Sequence, residues 1–257
     1  MYSEHRFPYP DPDSIRHFHT LHSFLPHLQP ERKLGALDGP TIDIVEQHSG
    51  TIYIQNVPKK MLVLFLGRQT VNKFLRTIER VDNVNWRGGP TRQELRLPRG
   101  CASSSALEIL IVWMRRACQH QTMGDMKQFL VPVNLFAACS LGSTLELFGL
   151  RKDALRVEMF IGKNHFQRPI FAVEMKALWS CLGETSRYTY GAIKVLGQRF
   201  RAYENGTEKK LLRDFDQILE LLEAFPLLGA RVRDGCLNER YAPTFGTKWF
   251  SKISDGV

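Results

Sequence analysis

The chain has 257 residues, 43% hydrophobic and 24% charged. That balance excludes wholesale disorder, and the length can bury a core without disulfide or metal staples. Lys and Arg outnumber Asp and Glu by 35 to 26, a net charge of +9, which admits nucleic acid, acidic proteins or anionic lipid as partners but says nothing of fold.

The richest apolar run, Met61–Leu66, is far short of the roughly eighteen residues that span a bilayer. MYSEHRFPYPDPDS lacks the apolar stretch of a secretory signal, so an intracellular chain with no membrane partner is expected. Five cysteines (Cys101, Cys118, Cys139, Cys181, Cys236) include no C-x-x-C pair and read as reduced thiols. The sequon Asn205-Gly206-Thr207 is then expected to stay unglycosylated.

Residues 1–38 hold most of the histidines and five prolines and read as a poorly ordered arm. His17, His19 and His22 stand close together, but no carboxylate or thiolate completes a tetrahedral set, so no metal is expected. Order begins near residue 39. Thr41–Gln47 and Thr51–Val57 alternate apolar and polar residues across His48-Ser49-Gly50, the pattern of a β-hairpin, and Pro58 ends the second strand. From Lys59 to Ile78 apolar residues recur at threes and fours, predicting one or two helices with a break at Gly67.

Asn83–Arg92 is a predicted loop and Glu94–Pro98 a short strand. Ser105 with Glu108 forms a capping box ahead of a helix whose inner face carries Leu107, Leu110, Ile111, Met114 and Cys118. Val131–Ser140 is predicted helical, with Leu141-Gly142-Ser143 as a break, and Thr144–Phe160 helical again. Ile170–Leu182 and Tyr188–Tyr203 follow as helices. Thr207 is a candidate cap for the next one, whose Leu211, Phe215, Ile218, Leu222 and Phe225 step by four and three. Pro226 ends it, and 229–257 reads as a mobile tail.

Catalytic signatures are absent. The sequence has no G-x-x-x-x-G-K-[ST], no G-x-G-x-x-G, no H-E-x-x-H and no G-x-S-x-G. Beyond the arm only His48, His120 and His165 remain as neutral-pH bases. Cys118 and His120 are too close on one helix to face each other, and Asp214–Asp216 beside Arg213 reads as a solvated face. The expectation is a chain with no enzymatic activity, no cofactor and no metal.

The order hairpin, helices, loop, lone strand, capped helix, two further helices resembles a BTB/POZ domain, the fold shared with elongin C-type adaptors. The resemblance rests on TIDIVEQ-HSG-TIYIQNVPKKML, on ELRLPRGCASSSALEILIVWMRRAC and on VPVNLFAACSLGSTLELFGLRKDALRVEMF. In the last, Leu135-Phe136-Ala137-Ala138-Cys139 stands where the family repeats a small-and-apolar pattern before a Leu-Gly turn. VPKKML after the hairpin is similar to the divergent BTB-like proteins of filamentous fungi. The hydrophobic-x-Glu signal of cullin-binding members is absent from Gln119–Lys127, so the resemblance does not extend to cullin engagement.

The resemblance implies an α+β chain, with a small, mostly antiparallel sheet at the front of a helical cluster over residues 39–162. An all-α extension over 163–228 would follow. It also implies a non-enzymatic adaptor or scaffold that binds another protein and is able to self-associate. Candidate partner-binding residues are Trp86 and Arg87 in the Gly-rich loop, Trp113 and Met114 on the capped helix, and Leu211, Phe215, Ile218 and Leu222 on the late stripe. The alternative is a basic nucleic-acid-associated factor, which requires Arg87, Arg92, Arg96, Arg99, Arg115 and Arg116 to gather on one face.

Overall fold

The alternation at Thr41–Glu46 and Ile52–Pro58 does what the period-two pattern demands: β1 and β2, as these strands are numbered, pair antiparallel. The computed structural model describes residues 19–78, 92–119, 126–207 and 214–234. Among these are eleven α-helices and four strands, an α+β chain. The chain divides into two units. The first runs to Leu130 and resumes over Ser143–Ala154; the second comprises Val131–Gly142 and everything from Leu155. The expected boundary at residue 162 therefore does not coincide with this division.

In the first unit, α1 (Leu21–Phe24) and α2 (Pro30–Leu34) precede the hairpin. They fall within the stretch expected as a poorly ordered arm, yet Leu21, Phe24, Leu25, Leu28 and Ala36 are buried. The Leu21 amide, one of the orphan donors of a helix start, donates to Asp153 Oδ2 at 2.7 Å.

After β2 come α3 (Lys59–Leu66) and α4 (Arg68–Phe74), broken at Gly67 as expected. Leu75–Ile78, expected as helix, is instead strand β3. It pairs antiparallel with β4 (Arg92–Leu97), where Leu75 stands opposite Leu95. The sheet runs β2-β1-β4-β3. It is mixed: β1 and β4 are parallel, with Ile44 beside Leu95 and Glu46 beside Leu97. A parallel pair needs a long crossover, and α3 and α4 lie within the stretch between β2 and β4 that supplies it. Ile42, Ile44, Val57, Leu95 and Leu97 are all buried.

The helix α5 (Ser104–Gln119) begins before the expected Ser105 cap. Ser103 does the capping, its hydroxyl accepting the Ala106 amide at 3.3 Å, and Glu108 is left exposed. Leu107, Leu110 and Met114 are fully buried, with Phe65, Met61 and Leu62 of α3. Phe148 completes this core edge-on to Phe74, ring centroids 6.3 Å apart.

The helix α6 (Leu135–Leu147) runs straight through the expected break at Gly142. The stop comes at Gly149, with φ +75°, a left-handed helix end that glycine adopts without steric cost. The helix α7 (Arg151–Phe160) follows.

In the second unit a π turn at Ile161–His165 extends α7 past Gly162, and α8 (Ala172–Ala177) leads into another π turn at Leu178–Leu182. The helices α9 (Arg187–Glu204), α10 (Phe215–Ala224) and α11 (Pro226–Arg233) complete it. Thr207, the candidate cap, instead closes α9, its hydroxyl donating to the Ala202 carbonyl at 2.8 Å. Residues 226–233, partly inside the expected tail, are helical with Leu228 and Val232 buried.

Gly142 sits in α6 for a packing reason. A Cβ there would collide with the Tyr188 hydroxyl and come within 2.7 Å of its Cζ. The absent side chain is the space the Tyr188 ring occupies.

Candidate functional site

The expected partner-binding residues that the structure describes do not form a surface. Trp86, Arg87 and Leu211 lie outside the described residues. Trp113 is a core residue: its ring meets Phe65 and Phe129 edge-on at 6.0 and 6.1 Å, and its indole N–H donates to the Lys127 carbonyl at 2.9 Å. Met114, Ile218 and Leu222 are buried. Phe215 is half-buried and stacks on Phe200 at 5.6 Å and Tyr203 at 4.2 Å. An apolar stripe at helical spacing turns inward before it faces a partner, and these residues obey that rule.

Among its described residues the first unit has a groove of about 350 Å³ between β2 and α5, lined by Tyr53, Ile54, Ser104, Glu108, Ile111, Val112 and Arg115. Three α5 side chains, Ser104, Glu108 and Arg115, recur at four and seven, so they share one helix face with Ile111 between them. Val112 is exposed at 39%, and Ile52 on β2 at 43%. The groove therefore has an apolar middle with a carboxylate toward one end and a guanidinium toward the other.

The edge of β2 is modified where it meets this groove. The β1–β2 register shifts between Ile42 and Ile44, a bulge that leaves Asn56 at φ +56°. The Asn56 amide donates to Asp43 Oδ1 at 2.9 Å, and the Asn56 carbonyl accepts from Arg115 Nη2 at 3.0 Å. One strand position thus has both backbone groups satisfied by side chains. The sequence singles out Glu108 and Arg115 separately, one as part of a cap and one among the arginines of a basic face. The signal for the groove is their seven-residue spacing around Ile111 and Val112.

Of the six arginines expected on one basic face, Arg96 lies 3.4 Å from Glu94 and Arg99 3.9 Å from Glu46. Arg115 is the groove residue and Arg116 is exposed. Arg87 and the Arg92 side chain fall outside the described residues.

The second unit holds two buried polar knots. In one, Glu174 accepts the Leu135 amide at 2.9 Å, capping α6 from 39 residues away. It also pairs with Arg168 at 2.9 Å and accepts the Phe171 amide at 3.4 Å. His165 is bonded through Nε2 to the Pro132 carbonyl at 2.8 Å, and burial with the Arg168 charge lowers its pKa. Burial, helped by the Glu174 charge, holds the Cys139 thiol well above its ordinary value, so this neighbourhood keeps the thiol protonated and inert.

In the other knot, Glu158 lies 3.1 Å from Arg187, which donates to the Tyr188 hydroxyl at 3.2 Å. Burial pushes the Glu158 carboxyl up to about 7. A carboxyl raised in the folded state favours its protonated form there. Its contribution is complete at acid pH, below the unfolded value, and is lost as pH rises through about 7. Denaturant titrations should show the wild type losing on the order of 2 kcal/mol relative to Glu158→Gln between about pH 5 and 7.5. Parallel profiles for the two proteins would show that the ion pair, and not burial, governs this group.

Among the described residues no group of three or more His, Cys, Asp and Glu is placed to hold a metal ion, and no helix is long and apolar enough to cross a membrane. A scan against protein-family models, a search of curated proteins and a search of solved structures each returned no match.

Proposed function

We propose that this chain is a protein–protein interaction module, an adaptor or scaffold of the BTB/POZ-like kind, and that it holds its partner at the groove between β2 and α5. The observation that carries the reading is the groove itself: Tyr53, Ile54, Ile111 and Val112 form an apolar middle, flanked by Glu108 and Arg115. A partially exposed apolar strip between charges of opposite sign fits a polypeptide surface, where desolvation gives affinity and the charges fix register. The order of elements, hairpin, helices, two further strands, the Ser103-capped helix and two more helices, is the expected order with one strand, β3, added. The reading gives the chain no catalysis of its own.

The test is affinity capture with the full chain against Val112→Asp and Tyr53→Ala. A charge at the centre of the groove should cost bound partners about 2 kcal/mol or more, roughly a thirtyfold fall in affinity. Because Val112 is exposed at 39%, the variant should keep the wild-type melting profile. Partners retained undiminished on folded Val112→Asp would remove the groove as the binding surface.

A further inference from the structure

We infer that His165 is an acid-sensitive latch on the start of α6: the neutral imidazole pins Pro132, and protonation frees Val131–Asn134 while the helices of the second unit stay folded. The basis is a cluster of groups around one buried ring. A carbonyl only accepts, so the 2.8 Å contact between Nε2 and the Pro132 oxygen places the proton of the neutral ring on Nε2. Nδ1 is then bare, and it is buried with no hydrogen-bond partner among the described residues. Phe160 closes one side, its ring edge-on at 5.7 Å.

A second proton finds no acceptor there. The charges that face the imidazole are Arg168 and Glu174. Glu174 is already committed to Arg168 and to the Leu135 and Phe171 amides. Arg199 of α9 brings a further cation, donating to the Arg168 and Phe166 carbonyls, and Cys139 of α6 is a protonated thiol. An imidazolium would stand among two guanidiniums and one occupied carboxylate, away from water, and it gains by leaving.

The segment that the ring holds lies outside every helix and strand, with Val133 exposed at 80%, and such segments open at low cost. Pro132 has no amide, so its carbonyl is the one backbone group by which it can be pinned. The π turn at Ile161–His165 supplies the movement. It is closed by the Phe166 amide on the Ile161 carbonyl at 3.0 Å, one residue wider than an α turn. Return to α register rotates the residues beyond by about 100°, enough to carry the imidazole out of its site. Burial and the Arg168 charge lower the His165 pKa. The latch therefore holds fully above the free-imidazole value of about 6.5 and weakens as pH falls below it, by at most about tenfold per pH unit.

Hydrogen exchange of the full chain, read by mass spectrometry at about pH 7.5 and about pH 5.5 with exchange times matched for the intrinsic rate, tests this. Protection over Val131–Leu135 should fall about five- to tenfold at the lower pH, and protection in α9 should not fall. His165→Gln keeps a donor for the Pro132 carbonyl and does not titrate, so its two profiles should coincide. Nitrogen-15 spectra of the wild-type imidazole give a reading that needs no variant: the Nε2–H form at neutral pH, with a midpoint below about 6.5. Undiminished protection over Val131–Leu135 in acid overturns the inference, and so does a matching loss in α9, which is global unfolding. A folded His165→Gln that still loses protection in acid does the same, as does a wild-type imidazole that titrates at or above the free value. If His165→Gln does not fold, the wild-type exchange and spectra decide alone.

Discussion

Replacing Glu174 by Ala should lower the stability of the second unit by about 3–4 kcal/mol. Glu174 is buried, and one carboxylate answers three donors: the Leu135 amide and Arg168 Nη2, each at 2.9 Å, and the Phe171 amide at 3.4 Å. Truncation strands the α6 start without an acceptor and leaves a guanidinium without its counter-ion. Breaking a buried pair from one side costs roughly 3–5 kcal/mol. The Arg168 side chain keeps 31% of its exposure and rehydrates in part, which places the effect in the lower half of that range. The lost cap accounts for about 1 kcal/mol of this. Glu174→Gln retains an acceptor for Leu135 but not the charge, and should recover about half of the loss. Urea denaturation followed by far-ultraviolet circular dichroism reads both. A loss below about 1 kcal/mol for the alanine variant would mean that water or a neighbouring group replaces the carboxylate.

Gly142→Ala is expected to cost about 2–3 kcal/mol, although alanine is the better helix former by nearly 1 kcal/mol. The new methyl would overlap the Tyr188 hydroxyl and stand 2.7 Å from Cζ. Tyr188 is buried, and Arg187 donates to its hydroxyl at 3.2 Å, so the ring has nowhere to retreat without breaking that bond. Tyr188→Phe removes the nearest atom but leaves Cζ, and should relieve only part of the clash. Tyr188→Leu should make Gly142→Ala close to neutral within the cycle. Thermal melts of the four corners give the coupling, and simple additivity would show that α6 shifts as a body to accommodate the methyl.

These two residues show where sequence reasoning succeeds and stops. The hairpin was readable because alternation at Thr41–Glu46 and Ile52–Pro58 is a local, period-two property, fixed before any tertiary contact. Gly142 was misread as a break because a glycine in a helix has two meanings. One is local, a left-handed stop, which Gly149 supplies. The other is that something large lies against the backbone, and Tyr188, 46 residues on, is that object. Leu75 and Ile78 fit a helical period as well as a strand, and pairing with β4 decided the matter.

Glu174 as the cap of α6 had no local signature, since its role depends on a contact spanning 39 residues. Of the candidate site, the chemistry-bearing positions on α5 were visible one by one. The groove they line was not, because it needs β2 and the bulge at Asn56 to define its other wall. The aromatic and apolar residues singled out as anchors, Trp113 and Met114 above all, were read from residue type, and residue type favours the core.

The division at Leu130 and Ser143 also has a consequence for how the protein is made. When synthesis has reached Leu130, the nascent first unit still lacks Phe148, which lies edge-on to Phe74, and Asp153, which accepts the Leu21 amide. Those residues emerge only after Val131–Gly142, the opening piece of the second unit, has left the ribosome. The first unit can then mature only once Ala154 has emerged, with the opening piece of the second already outside, and a ribosome stalled just past Leu130 should display a hairpin and helices that have not yet settled into a protease-resistant state.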